Sequence, residues 1–333
     1  MRFATYRLGD IERSGVVADG RVHPFPRNVD LRAVVTLGPE AALRLGAEAL
    51  DASDGVALDA VRLRPPLTPA SIRDFVAFEE HVEGVRRSVD GAGGVPDAWY
   101  EAPTFYFTNP HTLHGPGDDV AFPARCADRD FELEVAVVLG GGGTSLTAAQ
   151  ARDAVFGYTV FNDWSARDLQ RREMRVGLGP AKGKDFATTI GPWIVTADEL
   201  EPHRDADGFL DLWCTASVNG VEVGRDLLSN MGWTFESLVA YASRDSRVEA
   251  GDVLASGTVG NGGCLAELWG RRGRTDPPPL RDGDEVTLTV QGIGSLTNRV
   301  TAAAPAPDLP PVRRRDPAAA RLSGAAPLSG PAR

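Results

Sequence analysis

The chain has few cysteines and lacks any long hydrophobic run. Its three cysteines, Cys126, Cys214 and Cys264, lie far apart and form no CxxC pair. This spacing argues against a disulfide framework or a zinc cage and favours a reducing compartment. The first residues include Asp10 and Glu12, where a signal peptide requires an apolar run, and no apolar stretch is long enough to span a bilayer. We therefore expect a soluble cytoplasmic protein.

Basic residues are in the minority. The 333-residue chain has 35 Lys and Arg against 46 Asp and Glu, which gives a net charge of −11. An acidic chain without a basic block is a poor candidate for binding nucleic acid or an anionic membrane surface, so we expect neither as a partner. Hydrophobic residues make up 42% and charged residues 24%, which is typical of a globular protein with a sizeable core.

Sequence patterns divide the chain into three parts. Residues 1–65 contain short strand-like segments joined at Asp19-Gly20, a type I′ hairpin signal, and a helical pattern from Pro39 to about Leu50. This part is predicted to be a small N-terminal α+β domain. Residues 66–301 contain mainly strand-like segments with a few helical ones, so we predict a main domain that is mainly β.

The C-terminal residues have a different composition. Residues 302–333 are rich in proline, alanine and arginine, and they show no apolar period that could bury a core. We predict that this segment is a disordered tail.

Two glutamates occur at the start of an apolar strand pattern, FELEVAVVLG. Glu132 and Glu134 are two residues apart, so in a strand they point the same way. Such close carboxylates repel each other unless a cation lies between them or one takes up a proton. The alternative is an edge strand on which both glutamates face solvent.

A third carboxylate, Asp163, ends the apolar segment GYTVFND. It could cap a helix, the usual interpretation of an isolated aspartate at such a position. If a helix follows, Arg167 and Gln170 lie four and seven residues beyond Asp163 on one helical face, an arrangement that resembles a ligand-binding surface. Several carboxylates without a histidine or thiolate beside them favour Mg²⁺, Mn²⁺ or Ca²⁺ over zinc.

A histidine follows a fourth aspartate in the segment RDFVAFEEHV. Asp74 and His81 are seven residues apart, so they share one face if a helix begins at the aspartate. Histidine can act as a general base near neutral pH, and a surface or core histidine is the alternative.

Both lysines of the chain lie in the segment GPAKGKDF. In a sequence that otherwise uses arginine, the retention of Lys182 and Lys184 indicates a need for a compact ammonium group, which can hold an oxyanion. If the segment is extended, the two side chains point in opposite directions. Chance clustering is the alternative.

Six strings, taken in order over roughly residues 70–300, resemble the fumarylacetoacetate hydrolase (FAH) family. They are RDFVAFEEHV, FELEVAVVLG, FNDWSARDLQRRE, GPAKGKDFATTIGPWIV, LASGTVGNG and LAELW. The resemblance implies a mixed β-roll or sandwich catalytic domain after a small N-terminal domain, and a homodimer. It also implies a divalent cation, Mg²⁺ or Mn²⁺ with Ca²⁺ as another option, and a small oxo-acid substrate.

The same resemblance implies roles for individual residues. The positions that match the family's metal ligands are Glu132, Glu134, Asp163 and Asp74. His81 matches a histidine that activates water, and Glu267 matches the carboxylate that orients it. The positions that match contacts with substrate or oxyanion are Arg167, Gln170, Lys184 and Thr258.

The chain also departs from the family at three places. Met174 replaces a substrate-contacting tyrosine, and residues 105–109 replace a tyrosine-histidine-glycine-arginine string. Gly84 stands where smaller members have the glutamate of a histidine–glutamate pair. These departures argue against fumarylacetoacetate itself as the substrate.

The expected reaction is metal-dependent hydrolysis of a carbon–carbon bond in a small 1,3-dioxo or 2-oxo acid. His81, oriented by Glu267, would activate water, and Lys184 would hold the leaving enolate. One alternative is a hydratase, decarboxylase, tautomerase or isomerase reaction of a 2-oxo acid at the same metal site. Another is a non-catalytic calcium-binding protein.

Overall fold

The computed structural model describes residues 1–26, 29–89 and 91–314. Among these residues, no helix is both long and apolar enough to cross a membrane. The last strand ends at Ala302. Most of the predicted tail, residues 315–333, lies outside the described residues, so its disorder stays a prediction.

The strands of the described residues are, in chain order, β1 (Arg2–Leu8), β2 (Ile11–Ala18), β3 (Arg21–Pro24), β4 (Val56–Ala57), β5 (Arg62–Leu63), β6 (Ile72–Phe75), β7 (Phe105–Thr108), β8 (Leu113–His114), β9 (Asp119–Phe122), β10 (Arg129–Asp130), β11 (Leu133–Leu139), β12 (Val155–Asp163), β13 (Ser165–Ala166), β14 (Thr188–Thr196), β15 (Trp213–Val218), β16 (Val221–Leu227), β17 (Val253–Ala255), β18 (Glu285–Val290) and β19 (Gly294–Ala302).

The helices of the same residues are α1 (Leu31–Thr36), α2 (Pro39–Ala52), α3 (Glu79–Val89), α4 (Asp97–Glu101), α5 (Ala148–Asp153), α6 (Arg167–Met174), α7 (Ala197–Leu200), α8 (Phe235–Ser243) and α9 (Leu265–Arg272). Short 3₁₀ turns cover Leu58–Ala60, Glu201–His203 and Leu228–Asn230.

Most strands belong to one large mixed sheet. Its main path runs β4-β3-β2-β1-β14-β12-β11-β17-β6-β7, with β5 paired to β1 and β8 paired to β14. A second sheet has the order β16-β15-β18-β19-β9, and β10 pairs with β13. Neighbours are antiparallel except for β17 with β6, β8 with β14 and β9 with β19. The prediction of a mainly β fold with some helices is confirmed.

The N-terminal strands continue the large sheet, because β1 pairs with β14 in the register Phe3↔Ile194. Between β2 and β3, Asp19 and Gly20 have φ of 49° and 71°, the positive values that a type I′ turn requires. The helix predicted from Pro39 is α2. The predicted domain boundary at residue 65 stays a prediction.

The central strand β11 is buried on both faces. Its alternate residues pack in two separate clusters: Val135 and Val137 lie in one, and Ala136 and Val138 lie in the other. A continuous apolar run is typical of a strand that is covered on both sides. Such a strand provides a rigid support for the polar residues at its beginning.

The condition for placing Asp74 and His81 on one helical face is not met. The helix that contains His81 begins at Glu79, and Asp74 lies on strand β6. Strand β6 is held between β17 and β7, and these long-range backbone hydrogen bonds outweigh the local helical pattern. Asp74 and His81 therefore do not share a helical face.

Candidate active site

Three buried carboxylates meet where three strands of the large sheet end or begin. Asp74 lies on β6, Glu134 on β11 and Asp163 at the end of β12. One oxygen from each carboxylate lies within 4.8 Å of the oxygens from the other two. We call these residues the carboxylate triad. They come together because β6 and β11 are both paired to β17, and β11 is also paired to β12.

The carboxylate triad fits a divalent cation. Asp74 Oδ1, Glu134 Oε2 and Asp163 Oδ1 are buried and accept no hydrogen bond from any described residue. Burial and the neighbouring carboxylates raise the pKa of Asp74 and Glu134 well above the ordinary range. Burial also raises the pKa of Asp163 to about 6. A hard cation prefers carboxylate oxygens and would satisfy all three.

Glu132, the other predicted metal ligand, is paired with cations of the protein itself. Its Oε1 accepts from Arg167 at 2.6 Å, and its Oε2 accepts from Lys184 Nζ at 2.5 Å. Burial disfavours the charged carboxylate, but Lys184 and Arg167 outweigh it and hold the pKa of Glu132 well below its usual range. The structure places Glu132 beside the carboxylate triad, and its role as a ligand stays a prediction.

Lys184 bridges the two groups of acids. Its Nζ donates at 2.5 Å both to Glu132 Oε2 and to Asp163 Oδ2. Burial disfavours the ammonium, but the two carboxylates raise the pKa of Lys184 above its usual value, so it stays charged. Lys182 is exposed and pairs with Asp185 at 2.8 Å. The segment is a turn and not an extended strand, so the condition for predicting opposite directions is not met, although Lys184 is buried and Lys182 is exposed.

Arg167 is held by an aspartate that the sequence analysis missed. Its Nε donates to Asp130 Oδ2 at 2.9 Å, and its Nη1 donates to Gln170 Oε1 at 3.0 Å. Asp130 is fully buried and also accepts from the backbone amides of Leu265 and Ala266, at 2.8 and 3.0 Å. It therefore joins the guanidinium to the N-terminus of α9. Asp130 lies two residues before Glu132, the same spacing that linked Glu132 to Glu134 in the sequence. This spacing could have identified Asp130 as a site residue.

His81 lies on α3 with its imidazole in the site. Its Nε2 is 3.9 Å from Glu132 Oε1, and its Nδ1 is 3.7 Å from Cys264 Sγ. Burial, together with the charges of Arg167 and Lys184, lowers the pKa of His81 to about 4 despite the nearby Glu132. The ring is therefore neutral near pH 7 and can accept a proton.

Glu267 lies under α3 but does not contact the imidazole through a hydrogen bond. Its Oε2 accepts from the Gly262 amide at 3.3 Å and its Oε1 from Arg271 at 3.1 Å. A Cβ atom at Gly84 would lie 2.5 Å from Glu267 Cγ, which explains the glycine at this position. Among the described residues, the side chain that contacts His81 Nδ1 is that of Cys264. The orienting role of Glu267 stays a prediction.

Tyr106 is a site residue that sequence reasoning missed. Strand β7 pairs with β6 in the register Asp74↔Tyr106. The Tyr106 hydroxyl donates to Asp163 Oδ2 at 2.5 Å and lies 3.2 Å from Asp74 Oδ2. Only the strand register reveals this position. Thr258, which was predicted, donates to Glu134 Oε1 at 3.3 Å.

A cavity of about 290 Å³ opens beside the carboxylate triad. We call it the site cavity. The predicted site residues that line it are Asp74, His81, Glu132, Arg167, Gln170, Lys184 and Thr258. The other three lie immediately behind them: Asp163 bonds Lys184, Glu134 bonds Thr258, and Glu267 packs under α3. A larger cavity of about 700 Å³ lies among the N-terminal strands and residues 65–68 and is lined by none of the predicted site residues.

Comparison with known proteins identifies the family. The family profile for the fumarylacetoacetate (FAA) hydrolase C-terminal region matches residues 70–301, more than half of the chain. The chain belongs to the fumarylacetoacetate hydrolase family. The family prediction made from the six sequence strings is thus confirmed.

Several members of this family are similar to the chain. Oxaloacetate tautomerase YisK of Bacillus subtilis is 31% identical over 245 residues, which cover 73% of this chain and 74% of that protein. The structure of fumarylacetoacetate hydrolase from Exiguobacterium antarcticum is 26% identical, with a TM-score of 0.67, and covers 91% of this chain and 100% of that one.

A third neighbour shares the fold. Maleylpyruvate hydrolase from Sphingobium, solved with manganese and pyruvate, has a TM-score of 0.68 at 21% identity and covers 91% of this chain and 100% of that one. At this identity the likeness shows the fold alone. Hydrolases and a tautomerase thus occur together among the relatives.

Proposed function

We propose that this protein hydrolyses a carbon–carbon bond in a small 1,3-dioxo or 2-oxo acid with the help of a divalent cation. The observation that carries the proposal is the neutral imidazole of His81 in the same cavity as a buried ammonium and beside three carboxylates with unpartnered oxygens. A base, a cationic donor and a cation site are the groups that such a reaction needs.

The carboxylate triad would hold Mg²⁺ or Mn²⁺, with Glu132 next to it. When bound, this cation would supply Lewis-acid polarisation of the substrate's oxygens. The chain's own residues bind and orient the acid. Arg167 donates a hydrogen bond to Gln170 Oε1. The amide nitrogen of Gln170 is therefore available to donate to a substrate carboxylate.

His81 moves the proton, and Lys184 holds the negative charge that develops. His81 takes a proton from water, and the remaining hydroxide adds to the carbonyl carbon distant from the carboxylate. The carbon–carbon bond breaks, and its electron pair becomes the enolate, whose oxygen is held by the third N–H of Lys184. His81 then returns its proton to the enolate carbon, which gives two smaller acids and a neutral imidazole.

A second reaction, tautomerisation of a 2-oxo acid, is favoured by one observation. His81 Nδ1 lies 3.7 Å from the weakly polar thiol of Cys264, and among the described residues no carboxylate accepts a hydrogen bond from it to orient the ring toward an attacking water. Moving a proton between carbon and oxygen needs only a base and an acid. The 31% identity to an oxaloacetate tautomerase supports this candidate.

Product analysis tests both reactions. The protein loaded with Mg²⁺ or Mn²⁺ is incubated with 2,4-dioxo acids and, separately, with oxaloacetate, and the products are identified by mass. Two acid products support hydrolysis. Unchanged mass with accelerated loss of enol absorbance supports tautomerisation, a gain of water indicates a hydratase and a loss of carbon dioxide a decarboxylase. No change with any acid would contradict an enzymatic role and favour a calcium-binding protein.

We further propose a homodimer as the state in solution, on the family resemblance alone. Sedimentation at several protein concentrations tests it.

A further inference from the structure

Helices α3 and α9 pack along matching faces. A Cβ atom at Gly84 would lie 2.5 Å from Glu267 Cγ, and one at Gly270 would overlap the carbonyl oxygen of Gly84. Earlier in both helices, His81 Nδ1 lies 3.7 Å from Cys264 Sγ. The contacts advance by three residues on each helix, from 81 to 84 and from 264 to 267, so both helices run in the same direction. The two glycines let the backbones touch, which fixes the position of α3 on α9.

This packing places Cys264 and Glu267 at different levels of α3. Cys264 lies at the level of His81, and Glu267 lies opposite Gly84. Three residues of a helix span about 4.5 Å along its axis, so Glu267 is almost one turn away from the level of His81. Its carboxylate accepts hydrogen bonds from other donors. The side chain that can orient the imidazole is therefore that of Cys264.

The thiol of Cys264 is held in place by the first turn of α9. Cys264 is the N-cap of this helix and is fully buried, and its Sγ accepts from the Glu267 amide at 3.4 Å. The amides of Leu265 and Ala266 donate to Asp130 at 2.8 and 3.0 Å. The first three amides of α9 thus all have acceptors, which fixes the turn and the sulfur with it. Burial raises the pKa of the Cys264 thiol well above its usual value, so the sulfur stays neutral.

A neutral imidazole carries one ring hydrogen, and the surroundings of His81 favour Nδ1 as its place. Nε2 lies 3.9 Å from Glu132 Oε1, which is longer than a hydrogen bond. The two oxygens of Glu132 already accept from Arg167 and Lys184. On the other side of the ring, Cys264 Sγ is within reach of Nδ1, and a thiol sulfur can accept a hydrogen bond. A hydrogen on Nδ1 therefore has an acceptor, whereas one on Nε2 has none within hydrogen-bond distance among the described residues.

We propose that Cys264 is a positioning residue for His81: its Sγ accepts the hydrogen of Nδ1 and thereby leaves the lone pair of Nε2 on the side of the ring that faces Glu132. The inference rests on the proposed function for the role of His81 as a base, and it adds the group that orients this base. The thiol takes the orienting role that the sequence analysis assigned to Glu267.

Nitrogen NMR of the histidine rings tests the proposal without turnover. The full chain, isotope-labelled at its histidine ring nitrogens and held in saturating Mg²⁺, shows which nitrogen of His81 carries the hydrogen, and the His81→Ala variant identifies the signals. We expect the hydrogen on Nδ1 in the wild type and in Cys264→Ser, whose hydroxyl also accepts hydrogen bonds. In Cys264→Ala it should shift toward Nε2. Hydrogen on Nε2 in the wild type, which needs no variant to fold, or an unchanged distribution in Cys264→Ala would overturn the proposal.

Kinetics on whichever acid is turned over gives a second test. Cys264→Ala should lower kcat by about tenfold with little change in KM, the worth of about one hydrogen bond, and Cys264→Ser should recover most of this loss. Cys214→Ala is the matched control and should keep the wild-type kcat, because Cys214 is an equally buried thiol on β15 that does not line the site cavity. In the His81→Ala background, Cys264→Ala should have no further effect. An equal loss in that background would mean that Cys264 supports the fold and does not act through His81.

The outcomes also separate this inference from the proposed function. If Cys264 keeps the hydrogen on Nδ1 but no oxo acid is turned over, the proposed function is wrong and the positioning of the ring stands. If an oxo acid is turned over but Glu267→Gln lowers kcat more than Cys264→Ala does, the proposed function stands and the positioning role of Cys264 is wrong.

Discussion

Glu132 and Glu134 lie two residues apart and are both buried, at 5% and 1% exposure. Their pKa values nevertheless move in opposite directions. Burial and the carboxylate of Asp74 raise the pKa of Glu134, whereas Lys184 and Arg167 outweigh burial and lower the pKa of Glu132. Burial alone therefore does not decide the state of a carboxylate here, and the neighbouring charges do.

The two glutamates represent two regions of the site. In the carboxylate triad each member keeps a buried oxygen that has no hydrogen-bond partner among the described residues, so the group is suited to a cation that the protein must take up. In the other region, Asp130, Glu132, Arg167 and Lys184 satisfy one another, and we call these four residues the ion-pair corner. The ion-pair corner fixes the positions of the cationic groups before any ligand binds.

Breaking the carboxylate triad should have the largest effect on function, because cation binding is lost entirely. Glu134→Gln removes one ligand charge, so we expect cation binding to be lost in calorimetry with Mg²⁺ or Mn²⁺. At a cation concentration about 100 times the dissociation constant, wild-type protein gains about 2.7 kcal/mol in unfolding free energy, and the variant should gain none. Glu222→Gln, at an exposed position, serves as the control and should keep the full gain. An undiminished gain in Glu134→Gln would refute the cation site.

Breaking the ion-pair corner should affect stability itself. Asp130→Ala leaves the Nε of the buried Arg167 guanidinium and two α9 amides without an acceptor, which should cost about 3–5 kcal/mol of unfolding free energy in urea titration. The control is Glu40→Ala, which removes the exposed pair with Arg44 and should cost at most about 0.5 kcal/mol. Similar losses in both variants would show that the buried pair has no special weight.

The link between the two regions, Lys184, should matter for rate more than for stability. Guanidinium is larger and planar and cannot place one N–H where the ammonium places it. We expect Lys184→Arg to lower kcat by about 10²–10³-fold on whichever acid is turned over. Lys182→Arg is the matched control, two residues away and exposed, and should retain the wild-type rate. A larger loss at Lys182 would mean that the wrong lysine was chosen.

The smallest effect concerns the partner of His81. Because Glu267 bonds Gly262 and Arg271, Glu267→Gln should lower kcat by less than about tenfold, the worth of about one hydrogen bond. His81→Ala should lower kcat by about 10²–10⁴-fold, and this variant should still bind the cation. If Glu267→Gln loses as much as His81→Ala, the carboxylate orients the imidazole during turnover as the family resemblance implies.

Part of this arrangement could be predicted from local sequence. The hairpin at Asp19-Gly20 and the buried strand after Glu134 depend on neighbouring residues, and both are present. The position of Asp74 depends on pairing with strands far along the chain, so the helix that could have begun at this residue does not begin there. Tyr106 reaches the carboxylate triad only because of the β6–β7 register, which no local pattern contains.

The sequence by itself determined which chemical groups the site could contain. The order of the motifs specified the family, and the acidic residues with a single pair of lysines indicated a hard cation and an ammonium. Only the tertiary structure decided how the charges are shared: which carboxylates are paired with Arg167 and Lys184, and which keep unpartnered oxygens. The physical reason is that the energy of a buried charge depends on atoms a few ångströms away, and strand pairing brings those atoms from distant parts of the chain.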